Sequence, residues 1–94
     1  MKYVLFYESG DDFDPAAAQE NFPAHKQRYE EFSARGVLLA IGPFADPREG
    51  AMSVFATREA AEEFAEGDPF VLNGVVSSWR VQEWNEALLD AEQA

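Results

Sequence analysis

The sequence predicts an α+β domain of the ferredoxin-like class, in which a four-stranded antiparallel sheet carries two helices on one face. Two observations lead to this fold class. Four short segments have the apolar or alternating character of strands, and two segments have the spacing of amphipathic helices. Along the chain these segments come in the order βαββαβ. At a length of 94 residues we expect one domain with a single core, spanning residues 1–94.

The first strand and the first helix are predicted near the N-terminus. Residues 2–8 are rich in β-branched and aromatic side chains and end at a Ser-Gly pair, which is typical of a strand. Asp14 can cap, and Pro15 can begin, a short helical turn. We expect a separate main helix that starts near residues 21–23 and ends just before Gly36.

The middle of the chain predicts two strands joined by a loop. Residues 37–41 form a continuous apolar run, which indicates a strand buried on both faces. Glycines and prolines mark residues 42–50 as a loop. Residues 51–56 form the third strand, and their side chains alternate between two faces, one with Met52, Val54 and Ala56 and the other with Ser53 and Phe55.

A second helix and a fourth strand follow. Thr57 can cap a helix over residues 58–66, which Gly67 ends. Residues 75–84 alternate in the manner of a strand. The polar tail, residues 85–94, is expected either to form a terminal helix or to fray.

Self-association is predicted from the faces of the sheet. Two helices cover only one face, whereas both faces of the first two strands are apolar. An exposed apolar patch of that size indicates a covering partner. A twofold pair buries the same patch on each copy, so we expect a homodimer through the open sheet face.

Composition and charge argue against several function classes. Seven basic against eighteen acidic residues give a net charge of −11, which makes a nucleic-acid partner improbable. Cysteine is absent, histidine occurs once, and no acidic cluster has calcium-loop spacing, so we expect no metal site. No apolar stretch has membrane-spanning length and no signal peptide is recognisable. We therefore expect a cytoplasmic protein without a membrane partner.

The single histidine, His25, is the strongest indication of chemistry. It shares a helical stripe with Phe22, Tyr29 and Phe32, and this stripe should face the core. A buried imidazole needs a partner, because an unpaired polar group away from water costs about 1–3 kcal/mol. Asp68, at the end of the second helix, is the favoured partner, and such a pair can act as a general acid or base. Two alternatives stay open: a core histidine without chemistry, and an Asp-Pro turn residue.

Further residues are candidates around this pair. Tyr7, Phe44 and Phe70 are candidates for the lining of an apolar pocket near His25, with core packing as the competing role of each. Arg80 is a candidate for binding a substrate carboxylate, with the balancing of a surface acid as its alternative.

Taken together, these segments resemble the YCII-related (YciI-like) family. The resemblance rests on the strand at residues 3–7, the helix with His25, Gly-Pro-Phe-Ala-Asp at 42–46, the helix at 58–64, Gly-Asp-Pro-Phe at 67–70 and the strand at 79–84. It implies a dimeric α/β-barrel akin to muconolactone isomerases and small cofactor-free monooxygenases. It also implies an active site on a His–Asp pair, which transfers to His25 and Asp68, and no cofactor. One relative in that family eliminates chloride from a chlorinated muconate-type acid.

Two function classes follow from these observations. The first is a small cofactor-independent enzyme that performs proton transfer, elimination or isomerisation on a small unsaturated acid, which can be anionic. The second is a non-catalytic domain that binds a small ligand or a partner protein. Convergence of His25 and Asp68 in an accessible pocket would favour a site, whereas a sealed core would favour packing alone.

Overall fold

The chain forms one four-stranded antiparallel sheet in the order β2-β3-β1-β4, with its helices on one face, which confirms the predicted ferredoxin-like class. This architecture is that of a computed structural model, which describes residues 1–87. The strands are β1 (Lys2–Glu8), β2 (Leu38–Pro43), β3 (Ala51–Phe55) and β4 (Ser78–Trp84). The helices are α1 (Pro15–Ala34), α2 (Arg58–Gly67) and the short α3 (Pro69–Leu72).

The register divides the helix-facing side of the sheet into three rows, because residues directly opposite each other share a face. The first row is Pro43, Ala51, Tyr7 and Trp79. The second row is Ile41, Ser53, Leu5 and Val81. The third row is Leu38, Phe55, Tyr3 and Glu83. On β3 the side chains therefore grow from small to large, from the first row to the third.

An aromatic cluster fills the core over the third row. Phe55 and Phe64 are fully buried and Phe32 is 3% exposed. The ring centroids of Phe32 and Phe64 lie 5.1 Å apart, and those of Phe55 and Phe64 lie 5.5 Å apart. Full burial of a phenylalanine side chain is worth about 1.5–3 kcal/mol. This cluster joins α1 and α2 to the sheet.

Helix α1 is continuous, and the expected break before residues 21–23 is wrong. Asp14 caps it as predicted, since its side chain accepts a hydrogen bond from the Ala16 N–H, and Pro15 takes the first position. Pro23 lies inside the helix. Proline removes only one hydrogen-bond donor, and the packing of the following turns against the core keeps both halves helical. The predicted stop is present, because Gly36 has a φ of +79° after the last turn.

Strand β2 differs from its expected burial on both faces. It lies at an edge of the sheet, and Leu39, at the bulge between Leu38 and Ala40, is 51% exposed. An apolar run of strand length does not by itself distinguish an edge strand from a central one.

The segment before β4 also differs from the prediction. Val75 and Val76 are buried but do not belong to a strand, because the Val76 N–H donates to the Phe70 carbonyl oxygen instead of to β1. The expected strand from residue 75 therefore begins only at Ser78. At the other end, residues 85–87 follow β4 outside regular structure, and the terminal helix considered for the tail falls mainly on residues 88–94, outside the described residues.

The stripe that carries the histidine faces the core in part. His25 and Phe32 are buried and Tyr29 is half-buried, whereas Phe22 is 45% exposed.

Within residues 1–87, none of the helices combines the length and the apolar character needed to cross a membrane.

Candidate active site

A fully buried carboxylate, that of Asp68, receives three hydrogen bonds from three different elements. Its Oδ1 lies 2.9 Å from His25 Nδ1 and its Oδ2 lies 3.0 Å from the same nitrogen. The Tyr7 hydroxyl donates to Oδ2 at 2.6 Å, and the Phe70 N–H donates to Oδ1 at 3.1 Å. The contact expected between His25 and Asp68 is therefore present, and it links α1 to the junction of α2 and α3.

The local sequence explains why an acid stands at this junction. Asp68 has extended backbone angles and caps α3, whose first residue is Pro69. Its side chain accepts the Phe70 N–H, and its carbonyl oxygen accepts the Val71 and Leu72 N–H groups. The Asp-Pro turn and the histidine partner, considered as alternatives from the sequence, are thus two roles of one residue.

The hydrogen bonds around Asp68 fix the tautomer of His25. A carboxylate only accepts hydrogen bonds, so His25 Nδ1 must carry a proton, and in the neutral ring Nε2 then holds a free lone pair. The imidazole stacks on Phe70, with ring centroids 3.9 Å apart and an interplanar angle of 7°. The Tyr29 ring meets it edge-on at 5.4 Å. Ring position and tautomer are therefore both set before any ligand arrives.

Tyr7 supports the pair from the floor of the sheet. It is 5% exposed in the first row, and burial together with the neighbouring Asp68 charge raises the pKa of its hydroxyl far above the ordinary value. The phenol therefore stays protonated and remains a donor to Asp68 across the working pH range.

A cavity of about 600 Å³ lies between α1 and the β2–β3 side of the sheet, and His25 is part of its wall. Gly50, Ala51 and Ser53 form part of its floor. The polar side chains along it are those of Tyr7, Ser9, Gln19, His25, Tyr29 and Ser53. Among residues 1–87, no lysine, arginine, aspartate or glutamate lines the cavity. The space is apolar with a few hydrogen-bonding groups, which is the usual character of a small-molecule site.

The floor depends on a glycine. Gly50 has a φ of +106°, and a Cβ at this position would overlap the carbonyl oxygen of Tyr7. Only glycine lets the chain after the loop approach β1 this closely, next to the residue that supports Asp68.

The structure separates the other candidate residues. Tyr7 and Phe70 line the cavity as expected, but Phe44 does not, and its N–H closes the loop by donating to the Gly50 carbonyl oxygen. Arg80 pairs with Phe6 in the register and lies over the Phe6 ring at 4.3 Å, on the sheet face opposite the cavity. Because neighbouring residues of a strand point to opposite faces, Arg80 cannot share a face with Trp79 or with Tyr7. Within one chain, neither Arg80 nor Phe44 lines this cavity.

Sequence reasoning missed most of the lining residues, of which Ser53 and Phe22 are instructive. Ser53 shares a strand face with Phe55, so a polar side chain at a core-facing position was a visible signal. Phe22 gave a weaker signal, because its place on the stripe indicated core packing and not the cavity wall.

Within the described part of the chain, no three His, Asp or Glu side chains are grouped so as to hold a metal ion.

A family model and solved structures place this chain among known proteins. The model of the YCII-related domain matches residues 1–85. The 5-chloro-2-hydroxyhydroquinone dehydrochlorinase of Burkholderia phenoliruptrix, solved in complex with 2,5-dihydroxybenzoquinone, has a TM-score of 0.73 at 18% identity, covering 93% of this chain and 96% of that chain. A hypothetical protein of Arabidopsis thaliana has a TM-score of 0.49 at 16% identity, covering 95% of this chain and 89% of that chain. None of the curated protein sequences matches. The first of these structures independently supports the fold.

Proposed function

The chain belongs to the YCII-related family, and we propose that it is a small cofactor-independent enzyme that transfers a proton on a small unsaturated substrate. His25 would be the general base and acid, and Asp68 would orient it. The observation that carries the proposal is that His25 is held by a buried carboxylate at the wall of a 600 Å³ apolar cavity. Perturbed or specifically partnered titratable groups in a cavity are typical of functional sites.

The proton transfer follows from the tautomer. Nε2 of His25 takes a proton from an acidic C–H or O–H of the substrate, and the imidazolium is stabilised by its Nδ1–H bond to Asp68. In an isomerisation, Nε2 returns the proton to a different atom. In an elimination, the electron pair left on the substrate forms a double bond while the leaving group departs with its own bonding pair. Neither route requires a group outside His25, Asp68 and the substrate.

The cavity favours an uncharged ring over an anionic acid. No cationic side chain among residues 1–87 lines the cavity, and Arg80, the candidate for a carboxylate, lies on the other face. The exposed acids Asp12, Asp14 and Glu49 are sequence neighbours of lining residues, while Arg48 is paired with Asp46 at 2.9 Å. Like charges raise the cost of bringing an anion to this part of the surface. The ligand of the Burkholderia structure, 2,5-dihydroxybenzoquinone, is a ring of suitable size, and it motivates the first substrates to test.

The decisive experiment compares wild type with His25→Gln and with Lys26→Gln, a matched change on the exposed side of α1. Hydroxylated and chlorinated rings, starting with 5-chloro-2-hydroxyhydroquinone, are incubated with each protein in deuterated water. NMR follows deuterium uptake, and chloride release is measured in parallel. We expect His25→Gln to lower the rate by about 10²–10⁴-fold, the usual contribution of a general acid–base group, and Lys26→Gln to leave it unchanged.

Equal rates for a folded His25→Gln variant and wild type would contradict the catalytic proposal. Binding of ring compounds without any turnover would favour the alternative, a ligand-binding domain. The observation behind that alternative is that Asp68 already has a structural role as the cap of α3.

We also propose that two copies associate through the open sheet face. Phe6, Met52 and Val54 lie on that face and are half-buried within one chain, and Trp84 beside them is 49% exposed. Light scattering at micromolar concentration should give the mass of a dimer, and Val54→Asp should give that of a monomer, because it places a charge on the open face between Val4 and Ala40. A monomeric wild type would contradict this proposal without affecting that for the cavity.

A further inference from the structure

We propose that Ser53 is a second ligand-binding residue of the cavity, whose hydroxyl hydrogen-bonds an oxygen substituent of a small ring held beside His25. The inference rests on the proposed function, because it assumes that the cavity holds a ligand. It adds a requirement that the His–Asp pair does not impose: the ligand carries an oxygen that faces the sheet.

The position of Ser53 is unusual for a polar side chain. It lies in the central part of β3, directly opposite Leu5 of β1 and Ile41 of β2, on the helix-facing side. It is 4% exposed, and its strand neighbours on that face are Ala51 and Phe55. An aliphatic residue would satisfy the packing there, so the hydroxyl needs another explanation.

The Ser53 hydroxyl makes no hydrogen bond within residues 1–87, and Ser53 lines the cavity. The hydroxyl is not sealed from solvent, because Ser53 Oγ is not one of the fully buried side-chain atoms that lack a partner, so it opens onto the cavity. The backbone groups of β3 pair with β1 and β2, and the Ser53 hydroxyl bonds none of the sheet carbonyl oxygens within residues 1–87. The partner must come from the cavity, as water in the free protein or as a ligand oxygen.

The register places Ser53 close to the pair. Tyr7 is opposite Ala51, so it lies one row along and diagonally across from Ser53, at the usual diagonal spacing of about 7–8 Å. From Tyr7 the hydrogen bonds run to Asp68 and then to His25. Ser53 on the floor and His25 on the helix wall therefore face one space from two sides. A ring between them can direct an oxygen to Ser53 while its acidic proton lies at Nε2 of His25.

The test uses two fluorinated rings of the same shape, para-fluorophenol and para-fluorotoluene, which differ in one hydroxyl group. Fluorine NMR gives the dissociation constant of each ring for wild type, Ser53→Ala and Ser33→Ala. Ser33 is an exposed serine of α1 outside the cavity, so it is the matched control. We expect wild type and Ser33→Ala to prefer the phenol by about five- to tenfold, which corresponds to one hydrogen bond. We expect this preference to fall to about twofold or less in Ser53→Ala, with the affinity for the toluene unchanged.

The outcomes separate the two proposals. If wild type binds both rings equally, or if Ser53→Ala keeps the full preference, Ser53 is not a ligand-binding residue and the cavity remains a ligand site. If wild type binds neither ring at concentrations up to their solubility, the proposed ligand site and the role of Ser53 are both overturned. Loss of the preference in Ser53→Ala alone supports the inference, since His25 and the cavity shape are the same in both proteins.

Discussion

The two ends of the layer between helices and sheet are built from the same strands but differ in how they are filled. At one end Phe55, Phe64 and Phe32 interlock with almost no exposed surface. At the other end a 600 Å³ cavity lies over Ala51 and Ser53. Only Val54 separates Ser53 from Phe55 along β3, so the change from filled to hollow is local.

The difference shows that the cavity results from residue choice and not from a gap in the fold. Protein interiors are normally close-packed, and voids larger than a water molecule are few. The rows on β3 change from small residues at one end to Phe55 at the other, and His25 lies between the two ends. The filled end supplies stability, and the hollow end leaves room for a ligand beside the one imidazole of the chain.

The largest expected effect compares two phenylalanines. The rings of Phe64 and Phe22 both lie 6.1 Å from the His25 ring, one fully buried at the filled end and the other 45% exposed at the cavity. Phe64→Ala should lower the free energy of unfolding by about 3–5 kcal/mol, because it removes a buried ring and leaves a void. Phe22→Ala should lower it by less than about 1 kcal/mol.

Urea denaturation monitored by circular dichroism measures both values. Similar losses for the two variants would show that the cavity end is as tightly coupled to global stability as the aromatic cluster, and would break the distinction between them.

A smaller effect on the free energy of unfolding is expected at Tyr7, which connects the packed core with the site beside the cavity. Its ring is part of the buried core, and its hydroxyl donates to Asp68 beside the cavity at 2.6 Å. Tyr7→Phe keeps the ring and removes the donor, so we expect a loss of about 1.5–3 kcal/mol at pH 7, the usual range for a hydrogen bond to a charged group. An unchanged stability would mean that Asp68 does not depend on this donor.

The same variant has a defined pH dependence. Because the pKa of Tyr7 is raised in the folded protein above its ordinary value of 10.0, its contribution is fully present below pH 10 and is lost as the pH rises further, when only the unfolded chain can ionise. Denaturation midpoints between pH 8 and about 11 should therefore converge for wild type and Tyr7→Phe at the alkaline end. A constant difference across this range would contradict the raised pKa.

The sequence predicted the fold class from local signals, whereas the contact between His25 and Asp68, which are 43 residues apart, was predicted from a buried imidazole's need for a partner and from the family resemblance. Periodicity, the cap at Asp14 and the stops at Gly36 and Gly67 each act within a few residues. The cavity could not be predicted in this way, because it depends on which rows of the sheet face α1. Arg80 was a candidate for a substrate carboxylate and Phe44 for the pocket lining, both without knowledge of the sheet. The register places Arg80 on the opposite face, and Phe44 lies in the loop after β2 and does not line the cavity.

Pro23 gives α1 a property that the static packing does not reveal. Its missing N–H leaves the carbonyl oxygen of Gln19 without the usual helical donor, and Gln19 lines the cavity together with Phe22. The first turns of α1 are thus joined to the remainder by one hydrogen bond fewer, so local opening of this segment breaks fewer bonds than elsewhere in the helix. The part of α1 that opens at the lowest backbone cost is therefore the part that carries two residues of the cavity wall.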